Sequence, residues 1–173
     1  MEEKPIIRSE RLSIRQVELS DAAFLLRIYN MPKWIKNIGD RNIHTIIDAE
    51  ETIRTKMLPQ YEKYGYGNNV ISLSASGEEI GVCGLYHRPG LEIVDIGYAL
   101  LPEFEGHGYA FEAAQALMNW AIAVKGLCAI SGITIPENKP SVRILEKLGL
   151  VFEKMITLPD GTEELMYFEW NKK

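Results

Sequence analysis

Residues 91 to 135 read LEIVDIGYALLPEFEGHGYAFEAAQALMNWAIAVKGLCAISGITI, and no other stretch restricts the fold as much. Leu91 to Leu101 has the pattern of a strand and Pro102 to Gly108 that of a loop. Tyr109 to about Val124 repeats at helical spacing, and Leu127 to Ile135 is strand-like again. A strand, a crossover helix and a second strand of one sheet run parallel. The loop then lies beyond the carboxyl end of a strand, where open α/β sheets bind ligands. Ala110, Ala113, Ala114, Leu117, Ala121 and Val124 form the covered side of the helix. Glu112, Gln115 and Asn119 form a narrow polar stripe. Gly106 and Gly108 carry two readings at this point. Glycine adopts backbone conformations that other residues avoid, so the pair can simply make a turn. The first amides of a helix also lack partners and sit at the positive end of its dipole, and glycines let an anion approach them.

Around this unit the chain supplies hairpins and short helices. RLSIRQV (11–17) alternates as a half-buried strand. Ser20-Asp21 opens a helix with Phe24, Leu25, Ile28 and Tyr29 on its apolar side, and Pro32 ends it. Residues 32–45 read as irregular, with Trp34 and Ile35 as apolar anchors. A helix follows Asp48 towards Tyr64, with a break or kink at Pro59. Residues 69–75 and 79–86 make a hairpin around Ser76-Gly77-Glu78. Asn138 to Leu148 is a helix stopped by Gly149. Residues 150–157 and 164–170 close the chain as strands around Pro159-Asp160-Gly161. The expectation is one α/β domain spanning residues 1–173, with a mixed, mostly antiparallel sheet of six to seven strands and about four helices.

With 173 residues the chain fits one domain, and a formal net charge of -5 argues against nucleic acid as a general partner. That balance is compatible with a cationic substrate. Cys83 and Cys128 each sit in an apolar, strand-like stretch, with no C-x-x-C or Cys/His cluster to hold a metal. They read as reduced, buried thiols of a cytoplasmic protein. The opening MEEKPIIRSERL is not a secretory signal, and no apolar run is long enough to span a membrane.

The glycine loop lacks the G-x-x-x-x-G-K-[ST] of a Walker loop and the third glycine of a dinucleotide fingerprint. Residues 94–114 instead resemble the acetyl-CoA-binding segment of the GNAT N-acetyltransferases. They are most similar to the branch of the ribosomal-protein N-terminal (RimJ/RimL-like) enzymes. The matching residues are Asp95, Ile96-Gly97-Tyr98, Leu100, Pro102 and Gly106-His107-Gly108-Tyr109-Ala110-Phe111-Glu112-Ala113. SERLSIRQVELSDAAFLL, EEIGVCGL and NKPSVRILEKLGLVFE continue the likeness in the family's order over nearly the whole chain.

The resemblance implies a sheet splayed at the acetyl-CoA strand, with acetyl-CoA as cosubstrate and no metal. It implies direct acetyl transfer to a primary amine, preferentially a protein N-terminus. A polyamine, amino sugar or antibiotic acceptor is the alternative within enzymes, and a non-catalytic acyl-CoA-binding module the alternative outside them. Backbone groups of Tyr98, Ala99 and Leu100 would pair with the pantetheine arm. Gly106, His107, Gly108, Tyr109 and Ala110 would hold the pyrophosphate, and Asn138 would contact the arm or simply cap its helix. Asp95 and Glu92 are the candidate bases and Ser141 the candidate acid for the leaving thiolate. His44 and His87 read as ordinary loop and strand-end residues, and Tyr61, Tyr64 and Tyr66 as packing or acceptor-lining residues. Dimers among relatives make a homodimer a further expectation. Two positions depart from the family pattern: Glu105 stands where Gln or Arg is usual, and Leu145 where many members carry a tyrosine.

Overall fold

The computed structural model describes residues 5–172, whose strands join one sheet of eight in the order β1-β2-β3-β4-β5-β6-β8-β7. These are β1 (Ile6–Arg8), β2 (Leu12–Gln16), β3 (Asn68–Leu73), β4 (Glu79–Tyr86), β5 (Asp95–Leu100), β6 (Ala129–Thr134), β7 (Val151–Ile156) and β8 (Leu165–Asn171). Every neighbouring pair is antiparallel except β5 and β6, which are parallel as the crossover between them requires. The sheet exceeds the expected six to seven strands, partly because β1, three residues long, is too short to show a period.

Side chains alternate across the sheet, so adjacent residues enter different cores. Ile71 and Cys83 join Leu12, Ile14, Leu117 and Phe168 beneath α5 (Tyr109–Lys125) and α6 (Lys139–Lys147). Val70 and Val82 join Leu25, Ile28, Ile53 and Met57 on the other face. That face is covered by α1 (Ala22–Tyr29), α2 (Pro32–Ile38), α3 (Ile46–Thr52) and α4 (Leu58–Tyr64). Small residues do let α5 lie close: Ala113, Ala114 and Ala121 are fully buried.

Several expectations are corrected. The first helix does end before Pro32, at Tyr29, but residues 32–38 are not irregular: Pro32 starts α2, because its fixed φ and missing N–H suit a first helical position. Pro59 does not break the second helix. The five residues Ile53–Met57 widen into a π turn in which the Leu58 amide donates to the Ile53 carbonyl. This turn sits just before a residue that cannot donate and would crowd the preceding turn. Residues 91–94 are not strand: the Ser131 amide donates to the Val94 carbonyl at 2.8 Å, so β6 holds this stretch as a bend. Val124 is 64% exposed. Beyond Ala121 the helix closes at Gly126, at φ +68, and the Leu127 amide reaches back to the Ala121 carbonyl at 3.2 Å. Leu127 thereby packs on the core where Val124 was expected. Cys83 is buried but Cys128 is exposed, so only one of the two thiols is covered.

Gly81 lies on β4 opposite Leu100 of β5. A Cβ there would collide with the Ala99 carbonyl oxygen and lie 2.6 Å from a Leu100 methyl. Gly81→Ala is expected to destabilise the protein by about 1–3 kcal/mol, lowering Tm by roughly 2–10 °C in a thermal melt.

Candidate active site

The parallel pair β5–β6 meets at one register position, Asp95 opposite Ser131. From there the strands separate. β6 pairs along its length with β8, while β5 from Ile96 to Leu100 pairs only with β4. The expected splay is therefore present, and it leaves one edge of Tyr98–Leu100 without a strand. Two cavities occupy the opening. One, of about 500 Å³, runs along Tyr98, Ala99 and Leu100 to Gly106 and Gly108. The other, of about 970 Å³, reaches Asp95, Arg88 and the β7–β8 turn. Trp34, Asn37, Tyr98, Asn138 and Ser141 border both.

The glycine loop is held open by its neighbours. Gly106 and Gly108 have φ of +77 and +83, a region other residues rarely adopt, and Gly108 caps α5. Gly108 has no side chain to cap that helix, so among the described residues its first amides remain available to an anionic ligand. Arg11 fixes the geometry. Its Nη1 donates to the His107 carbonyl at 3.1 Å and its Nε to Glu112 at 2.7 Å, while the guanidinium lies 4.4 Å from the Tyr109 ring centroid. Glu112 also accepts from the Arg11 amide and the Ser9 hydroxyl, both at 2.8 Å. Burial pushes the Glu112 carboxyl up, but these bonds outweigh it and hold it below the usual range. Glu105 forms an ion pair with Lys33, so its charge is compensated beside the loop. His107 is exposed and contributes its carbonyl to the Arg11 bond. A diphosphate fits this cradle: open amides, glycines and a compensated Glu105 line one continuous groove.

In the larger cavity Asp95 is 1% exposed and receives a bond from Arg88 Nε. Its Oδ1 has no hydrogen-bond partner among the described residues. Burial raises the Asp95 pKa to about 6, against the opposing pull of Arg88 and a smaller one from the Ile133 amide. Glu92 lies elsewhere: it is exposed, precedes β5, and lines neither cavity. The expectation that it shares the strand with Asp95 is corrected, because that strand starts only at Asp95. Asn138 caps α6, its side chain accepting from the Ser141 amide at 3.4 Å. The Ser141 hydroxyl lies 3.2 Å from the Tyr98 hydroxyl. Burial raises the Tyr98 pKa above the usual range, so that hydroxyl is protonated at neutral pH. Leu145 is buried and packs against Gly132, where any Cβ would meet its methyl groups.

Sequence reasoning missed Arg11, Arg88 and the side chain of Tyr98. Only Asp95 hinted at Arg88, since a carboxylate in a covered strand needs a partner. His87 bonds to the Tyr66 hydroxyl through Nε2 at 2.8 Å and stacks on Tyr64. Tyr61 bonds to Asn69 and is a packing residue, and the His44 amide donates to Asp48 in the cap of α3. Trp34 stacks on Tyr29 with centroids 4.3 Å apart. Among the described residues no His/Cys/Asp/Glu group could hold a metal ion, and no helix is long and apolar enough to cross a membrane.

Residues 11–151 match the family of the acetyltransferase (GNAT) domain. The chain is 27% identical over 157 residues to the "Uncharacterized N-acetyltransferase YoaA" of Bacillus subtilis, covering 88% of this chain and 86% of that protein. The crystal structure of an acetyltransferase from Agrobacterium tumefaciens superposes with a TM-score of 0.82 at 25% identity, covering 98% of this chain and 96% of that one. A ribosomal L7/L12 alpha-N-protein acetyltransferase, RimL, solved in complex with coenzyme A, superposes at 0.82. It shares 17% identity over 97% of this chain and 98% of that one, a likeness of fold.

Arg11→Gln removes the clamp while leaving the loop sequence intact. It is expected to raise the Kd for coenzyme A about tenfold by calorimetry, the worth of one charge-assisted bond.

Proposed function

The chain belongs to the GNAT acetyltransferase family, and we propose that the acceptor of its acetyl group is an α-amine, preferentially that of a peptide or protein N-terminus. Acetyl transfer from acetyl-CoA is the family's reaction. The reading of the acceptor rests on Asp95, a buried carboxylate at the fork of β5 and β6 with a free oxygen and a pKa near 6. A base of that strength is ionised at neutral pH. An α-ammonium with pKa near 8 lies about two units above it, and a lysine or polyamine near 10.4 about four. The difference costs roughly 3 kcal/mol more for the second class, which favours the first.

The residues divide the work as follows. The amides of Gly106, Gly108 and the first turn of α5 hold the diphosphate. The free edge of Tyr98–Leu100 pairs with the pantetheine amides as an added strand would. Acetyl-CoA supplies the activated acyl group: the amine nitrogen bonds to the acetyl carbon as the C–S bond breaks and the thiolate leaves. Asp95 takes the proton the ammonium must lose, directly or through one water, with Arg88 holding the carboxylate in place. Ser141, backed by the Tyr98 hydroxyl, returns a proton to the thiolate in the role Leu145 cannot perform. A buried Cys83, an exposed Cys128 and no disulfide are consistent with a reducing, cytoplasmic setting for this work.

Asp95 must be ionised to act, and its pKa is raised, so kcat/KM is expected to climb as pH rises through about 6. Asp95→Asn should remove that limb and lower kcat by roughly 10²–10⁴-fold. Retained coenzyme A binding would show that this variant still folds. Ser141→Ala should lower kcat at least about tenfold while the Kd for acetyl-CoA stays within about twofold; an unchanged kcat would remove Ser141 from the mechanism.

A further inference from the structure

The larger cavity sorts charge by chain segment. The stretch from Tyr29 to Gln60 lines it with three charged side chains, Lys36 at the end of α2, Arg41 just after it and Lys56 on the π turn. All three are cations, and none has an ion-pair partner among the described residues. The acids of the same stretch lie off the cavity. Asp48 is engaged in the cap of α3, Glu51 pairs with Arg54, and Asp40 accepts from the Asn42 amide. Lys33, the remaining lysine of α2, is paired with Glu105 at the smaller cavity. The β7–β8 turn contributes the opposite sign: its charged lining residues are Asp160 and Glu163, also without ion-pair partners among the described residues. Asp95 and Arg88, which also line the cavity, neutralise each other.

Burial pushes the Tyr29 hydroxyl up to about 12 and the Arg41 charge works against that rise, so Arg41 acts on the ring that stacks on Trp34. In a chain of net charge -5, three unpaired cations from one chain segment bring positive potential to this cavity.

We infer that the acceptor is a primary amine that also carries an anion, a carboxylate or phosphate, held by Lys36, Arg41 and Lys56 while Asp160 and Glu163 draw in the ammonium. This rests on the α-amine reading and narrows it. A guanidinium and two ammonium groups suit a carboxylate or phosphate through charge-assisted bonds. A polycation would meet these three residues as like charge. Two sources offer the chemistry, a free amino acid or an N-terminus followed by an acidic side chain, and each has its own arm in the test.

The test measures acetylation of serine against serinamide, of a Ser-Asp tetrapeptide amide against its Ser-Lys counterpart, and of spermidine. The native enzyme and the Lys36→Gln/Arg41→Gln/Lys56→Gln variant are compared. The expected result is that the native enzyme prefers the anion-bearing member of at least one pair by about tenfold or more in kcat/KM. The triple variant should lose that preference through a higher KM while still binding coenzyme A by calorimetry. Preference for serine identifies a free amino acid as the source, and preference for the Ser-Asp peptide an acidic N-terminus. Spermidine or serinamide as the best substrate, with the same ranking in the triple variant, overturns the anion site and leaves amine acetylation standing. Absence of acetylation of every amine overturns the α-amine reading and this inference with it.

Discussion

The geometry of this protein depends on a parallel strand pair that is allowed to meet only once. Asp95 and Ser131 are the sole register partners of β5 and β6. The carboxylate at that fork is buried against Arg88. A pair of buried charges costs desolvation that good geometry only roughly offsets, so it is a poor source of stability. Its position explains it better. Beyond the fork the sheet opens, and the last strand-to-strand contact carries the carboxylate that we propose as the base. Bonds from Ser131 to the Val94 and Ile93 carbonyls fix the approach to the fork from the other side. They delay the start of the strand to Asp95 and leave Glu92 outside it.

From this constraint the rest follows in order. The free edge of Tyr98–Leu100 is available to an extended ligand because β6 has turned to β8. The loop that follows presents helix amides because Gly106 and Gly108 hold a backbone that other residues avoid. The loop keeps that shape because Arg11, from the far side of the sheet sequence, ties the His107 carbonyl to Glu112. The two cavities then share Tyr98 and Ser141 in their lining. Net charge describes none of this. A chain of -5 lines its larger cavity with a cationic stretch and an acidic turn, a pattern visible only once the lining is known.

The unit from β5 to β6 was legible in the sequence because each of its signals agrees: period-two residues, paired glycines, a small-residue helix and a second strand. Asp95, Ser141 and Asn138 were legible for the same reason, since motif order fixed their elements. What was not legible depends on contacts distant in sequence. Arg11 bonds to Glu112 across 101 positions, and no local pattern announces that. Arg88 was hidden in a turn. Pro32 and Pro59 were read as breakers because local chemistry sets where proline is excluded, while the surroundings decide whether a helix starts or widens there. The edge strand β1 has too few residues to alternate. Val124 satisfied the helical period, yet the chain reversal at Gly126 gave its place to Leu127.

Amide hydrogen exchange with and without coenzyme A reads the central claim directly, because it reports on the free edge of β5 itself. The account predicts that coenzyme A slows exchange at the edge-facing amides within Tyr98–Leu100 and at the amides of residues 106–110, with little change along β7 and β8. Protection confined to other segments, or none at β5 under saturating ligand, would contradict a site built on the fork between β5 and β6.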